Sequence, residues 1–246
     1  MRNVRRITLF AFLVFFMITE STAQRLVHIP KGAQRDTTYM YTYQQELCWK
    51  LGLPEVLHDT CNHHFRLWSD THVIDVCKNG NDVTANLIRW TEEITPYNEP
   101  ATGRIFKQFY SLNASGSKID SLIEDSKIKN IPDEHEIEGW HRGFDGTTYM
   151  IEYTDDSVYY FKSYWTPESQ QHTREGVVVK HFIDRIMAMV ETPEGRKQFS
   201  TMIPFQCWTN GGISMACKVL TKEQAGKYKR ERNQYRKAIK LQRRPT

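Results

Sequence analysis

Four strand-like segments follow one another between Phe65 and Leu112, and that succession constrains the fold more than any other feature. They are Phe65–Trp68, His72–Cys77, Val83–Ile94 and Ile105–Leu112, each rich in β-branched and aromatic residues. Lys78-Asn79-Gly80-Asn81-Asp82 concentrates turn formers between the second and the third. Strands joined so closely pair antiparallel, because a parallel pair needs a long crossover. Thr148–Tyr153 and Val158–Trp165, joined by Thr154-Asp155-Asp156-Ser157, repeat the pattern as a Tyr- and Phe-rich hairpin.

Helical spacing occupies the intervals. Met40, Tyr43, Leu47 and Leu51 recur at the helical period and stop at Gly52-Leu53-Pro54. Asn113 to Ser117 supplies caps for a second helix with Ile119, Leu122 and Ile123 on its apolar side. A third runs from about Glu175 to Glu191 on Val178, Phe182, Ile186, Met189 and Val190. Pro193 then opens a shorter one reaching about Met202. The strict β-α-β alternation of a doubly wound parallel sheet is missing. The predicted class is α+β, an antiparallel meandering sheet with helices packed on one face.

The two ends of the chain differ from its body. Arg2, Arg5 and Arg6 precede the apolar run Ile7–Ile18, and Ser21-Thr22-Ala23 places small residues before Gln24. That is the architecture of a cleavable secretory signal peptide, and the run is too short for a membrane span. Residues 1–23 are therefore expected to be removed, leaving no transmembrane span and a periplasmic or extracellular protein. Residues 24–221 form the expected single domain, with two similar halves meeting near position 115. Residues 222–246 form a basic helix or tail. The formal charge of +4 conceals an acidic body of net −6 between Gln24 and Thr221 and a tail of net +8. A uniformly basic nucleic-acid binder is thereby excluded, whereas the tail suits an anionic surface or the protein's own acidic body.

All five cysteines lie beyond residue 23, where disulfides persist after export. Cys207 and Cys217 flank Trp208 to Ile213, which reads as a hairpin turn, so the two become direct cross-strand partners. Cys61 pairs with Cys48 or with Cys77, and spacing does not choose between them. An odd count leaves one thiol over.

The usual catalytic and cofactor signatures are lacking. There is no G-x-S-x-G elbow, phosphate-binding Gly-rich loop, dinucleotide fingerprint or H-E-x-x-H helix, so no cofactor is expected. The densest polar-aromatic cluster is Trp140-His141-Arg142-Gly143-Phe144-Asp145, followed by Tyr164-Trp165 at the end of the hairpin. Flat rings of Trp140, Tyr164 and Trp165 stack on sugars or aromatic groups, Arg142 holds an anion, and His141 with Asp145 moves a proton. His58, Asp59, Cys61, His63 and His64 are all metal-ligand types, but their spacing matches no standard site. The acidic stretch Asp133 to Glu138 reads as a solvated surface loop. The expected function is that of an exported binding or envelope-associated protein, taking a small-molecule, glycan or protein ligand at Trp140–Asp145 and Tyr164–Trp165. The alternative is a secreted hydrolase using His141 and Asp145, or a metal near His58–His64.

Overall fold

A computed structural model describes residues 25–31, 39–70, 72–143, 145–209 and 215–242. The strands are β1 (Leu26–His28), β2 (His63–Trp68), β3 (His72–Asn79), β4 (Asp82–Glu93), β5 (Ile105–Ser111), β6 (Thr148–Thr154), β7 (Val158–Trp165), β8 (Cys207–Thr209) and β9 (Met215–Cys217). The helices are α1 (Tyr39–Leu51), α2 (Gly116–Ser126), α3 (Arg174–Val190), α4 (Pro193–Met202) and α5 (Lys222–Gln242). The class is α+β. The nine described strands form one open sheet in the order β1-β7-β6-β2-β3-β4-β8-β9, with β5 also on β4. Consecutive pairing holds from β2 to β5, and β6 then returns to the free edge of β2. Every pairing is antiparallel except that of β1 with β7.

The period of two along the strands feeds two separate cores. Phe65, Leu67, Ile74, Val76, Ala85, Leu87, Ile151 and Tyr164 face one side, where Ile119, Leu122 and Ile123 of α2 and Val179, Phe182, Ile183 and Ile186 of α3 cover them. Trp68, Val73, Ile88, Trp90, Met150, Tyr159 and Phe161 face the other, beneath Leu47, Cys48 and Leu51 of α1. Helices thus pack on both faces, where the sequence suggested one. The reason lies in the central strands, which bury side chains at odd and even positions alike and so need cover on each side. Phe199, Ile203 and Phe205 make a third, smaller core with Phe106 and Trp208 beyond β5.

Local signals set the helix boundaries. Thr173 accepts the Gly176 N–H (2.9 Å) to cap α3, and Thr192 accepts the Gly195 N–H (3.0 Å) to cap α4, which opens on Pro193. The buried face of α3 runs through Val179 and Ile183. Met189, expected inside, is 37% exposed.

Two disulfides are present. Cys207 and Cys217 are register partners in the β8–β9 hairpin, bridged as expected with Cα atoms 4.1 Å apart. Cys61 bridges Cys77, with Cα atoms 5.7 Å apart. The alternative of Cys48 with Cys61 is thereby corrected: Cys48 lies on α1 under the sheet as a buried free thiol. Residues 1–23, which carry the expected signal peptide, lie outside the described residues, as does the 210–214 turn.

Candidate functional site

The segment between α2 and β6 does not behave as a solvated acidic loop. Asp133, Glu134 and Ile137 are buried. The outer edge of β7 is paired with β1 only at Val158–Tyr160, so the N–H groups farther along need other partners. Asp133 supplies one, accepting from the Ser163 N–H (2.8 Å) and the Ser163 hydroxyl (3.2 Å). Glu134 accepts from the Trp165 N–H, and its own N–H donates to Ser163 O at 3.2 Å. Carboxylates here complete a sheet edge. Burial raises the Glu134 pKa against the pull of the Trp165 N–H.

The cluster singled out in the sequence sits at the end of this edge. Trp140 packs in the first core with its ring 5.8 Å from that of Tyr164, and its indole N–H donates to Trp165 O at 3.2 Å. Gln170 clasps His141 from both sides, accepting from its N–H and donating to its carbonyl, each at 2.9 Å. The His141 ring stacks on His172 at 4.4 Å. Gly143 lies flat beneath Trp165, where a Cβ would come within 2.6 Å of the indole ring. Trp140, His141, Tyr164 and Trp165 therefore do come together. Tyr164 is fully buried, however, and donates to Ile131 O (3.1 Å), so it serves the core rather than a ligand. Arg142 and Asp145 are exposed. Among the described residues no hydrogen bond joins His141 to Asp145, so the proton-transfer pair expected for a hydrolase is not assembled.

The histidines near Cys61 resolve differently. His64 is buried, with Nδ1 2.5 Å from Asp59 and Nε2 2.8 Å from Asp75, whereas His58 and His63 are exposed. Asp59, Cys61 and His64 do converge. The Cys61 sulfur is nevertheless bonded to Cys77, so it offers no thiolate, and the metal reading loses its softest ligand. The group belongs instead to a buried ion network. The Arg66 Nε donates to Asp75 (2.6 Å) and its Nη1 to Pro54 O (3.1 Å) and Cys48 Sγ (3.3 Å). Burial alone would raise the Asp75 pKa, but the bonds and charges of His64 and Arg66 hold it down at about 2. Burial outweighs Arg66 at Cys48 and pushes that thiol up to about 11.

A cleft of about 810 Å³ lies beside the acidic edge, between β1, β7 and the 129–136 segment. His28 stacks on Tyr160 at 4.5 Å and forms a flat wall with Tyr153 nearby. Lys31, Lys129 and Lys162 line it, as do Asp133, Glu136 and Asp155. Lys162 is 7% exposed; its ammonium donates to Lys129 O (2.6 Å) and Ile131 O (2.7 Å) and sits 4.8 Å from the centroid of the Tyr160 ring, which leaves one N–H of three without a hydrogen-bond acceptor. Burial brings its pKa down to about 8, against the raising influence of Glu136 and Asp133.

The chain matches no family model, no curated protein and no solved structure. Its function must therefore be argued from its own geometry. The sequence reading passed over Lys162, although a signal existed. A lysine within Val158–Trp165, a strand with apolar neighbours on both faces, has to find acceptors inside the fold. No comparable signal marked His28, which reaches the cleft only because β1 lies parallel along β7.

Proposed function

We propose that the protein is exported, loses residues 1–23, and acts in the periplasm or outside the cell as a binding protein for a polar, anionic ligand held in the β1–β7 cleft. The carrying observation is Lys162, a buried cation over the Tyr160 ring, with one N–H lacking a hydrogen-bond acceptor, in a cleft walled by the stacked His28–Tyr160 pair. A ring with hydroxyls and an acid group suits that wall. The aromatic faces stack on the ring, Glu136 accepts from hydroxyls, and Lys162 with Lys31 meets the acid. An acidic saccharide has this chemistry. The paired disulfides support export, and no helix among the described residues is long and apolar enough to cross a membrane. On this reading residues 24–221 are the binding domain and residues 222–246 its basic appendage. The outward cations of α5 are a second means of holding an anionic surface.

Calorimetric titration of the mature protein with a hexuronate oligosaccharide, against a neutral gluco-oligosaccharide, tests the assignment. Saturable binding of the acidic sugar alone, lost in Lys162→Met, is the expected result. Equal binding of both sugars, or of neither, overturns it.

A further inference from the structure

A second cleft, of about 320 Å³, opens on the opposite part of the sheet and shares no lining residue with the first. It lies between α1 and the ends of β4 and β6. Tyr39, Met40, Tyr43, Leu47, Trp90 and Met150 make its apolar wall, and Gln44, Ser69 and Asp70 its polar part. Largely apolar walls with a few polar groups characterise small-molecule sites.

Two of the wall residues are buried with unmet hydrogen-bonding capacity. Trp90 is 2% exposed and its indole N–H has no acceptor among the described residues. Trp68, on the same face of the sheet, donates to Glu152 at 2.6 Å. Gln44 is 3% exposed; its Nε2 reaches only the thioether of Met150 (3.1 Å), and its Oε1 has no partner. Turning the amide over merely exchanges which end is left unmet, since sulfur is a weak acceptor. Leaving a buried polar group unmet is costly, so two beside one cavity point to a ligand that would meet them. The complement of Trp90 is an acceptor and that of Gln44 Oε1 is a donor. Asp70, whose pKa burial raises, also lines the cleft and disfavours an anion there.

We propose that this cleft binds a small uncharged aromatic compound carrying both a hydrogen-bond acceptor and an N–H donor, of which an aromatic amide is the simplest. The ring lies among Tyr43, Met40, Leu47 and Met150, the acceptor takes the Trp90 N–H, and the donor meets Gln44. Binding here is independent of the Lys162 cleft.

The test is a titration of the full mature protein, labelled with nitrogen-15, with benzamide and separately with benzoate. The Trp90 indole N–H resonance is identified as the one missing from Trp90→Phe. It should shift saturably with millimolar benzamide, and benzoate should bind about tenfold more weakly or worse, because it lacks the donor and meets Asp70. Gln44→Leu should weaken benzamide about tenfold on the same ground, while Lys162→Met leaves it unchanged. Should Trp90→Phe fail to fold, the backbone resonances of Gln44, Gly146 and Met150 in the unmodified protein give the same readout. An indole resonance unmoved by benzamide, or moved equally by benzoate, overturns the proposal.

Discussion

The Asp133 carboxylate accepts the main-chain N–H of Ser163 at 2.8 Å, so a side chain does for β7 what a further strand would have done. β7 would otherwise present buried donors with no acceptor. Asp133→Ala is expected to destabilise the protein by about 2 kcal/mol, since it strands the Ser163 N–H and its hydroxyl. Urea unfolding of the two proteins measures this, and a change below about 0.5 kcal/mol would refute the role.

Lys162 makes stability rise with pH. Its folded pKa of about 8 lies below that of a free lysine, so between about 8 and 10.4 the unfolded chain binds more protons than the native one. The slope is therefore positive: burying the charged ammonium has its full cost below pH 8, and the cost fades as the pH climbs. The gain up to pH 10 is on the order of 2–3 kcal/mol, and Lys162→Met should lack it. Parallel denaturation curves from pH 7 to 10 for the two proteins show whether the difference exists.

Asp75 acts with the opposite sign. Its pKa of about 2 is depressed from the usual carboxylate value, so its contribution is complete above about pH 4 and is lost as the pH falls toward 2. About 2 kcal/mol of stability should disappear in that window. Asp75→Asn should remove the acid dependence and cost about 3–5 kcal/mol near neutrality, because Arg66 and His64 stay buried without their shared anion. Unfolding of this variant at pH 7 and pH 3 separates the two effects.

Thiol chemistry should find one group and find it late. Cys48 is the free cysteine, buried against Arg66, with its pKa pushed up to about 11. A thiol reagent should react with nothing in the native protein and with one thiol in denaturant. Peptide mapping should recover Cys61 with Cys77 and Cys207 with Cys217. A Cys48–Cys61 peptide would contradict the structure.

The basic helix α5 is tied to the acidic body by Glu99. That carboxylate accepts from Arg232 at both oxygens (2.7 Å each) and from Arg236 (2.7 Å), and Tyr228 donates to Glu93. Glu99→Gln should release this face, and trypsin should then cut within residues 222–240 several times faster while leaving the sheet intact. Unaltered cleavage rates would show that Glu99 does not secure the helix.

The strands from β2 to β7, the three helices α1 to α3 and the Cys207–Cys217 bridge were legible because each rests on local order. A period of two or 3.6, a Thr cap three residues from the N–H it accepts, and two cysteines placed symmetrically about one turn are all written within a dozen residues. In α5 the inward face was not legible. Tyr228 is buried, and Arg232 takes the position beside it because Glu99 is there to meet it.

What the tertiary structure decided is everything that depends on which distant segments meet. Asp133 to Glu138 has the composition of a surface loop, and only the unpaired edge of β7 turns two of its acids inward. Cys61 joins Cys77 rather than Cys48 because β2 and β3 are neighbours, with His64 opposite Cys77, while Cys48 is held on α1 against Arg66. Neither cleft has a sequence motif. Each is assembled from an N-terminal element, β1 or α1, laid against strands far along the chain. Local patterning determines the elements, since neighbours in the chain set it. Cavities and buried charges belong to long-range packing, which no short window of sequence contains.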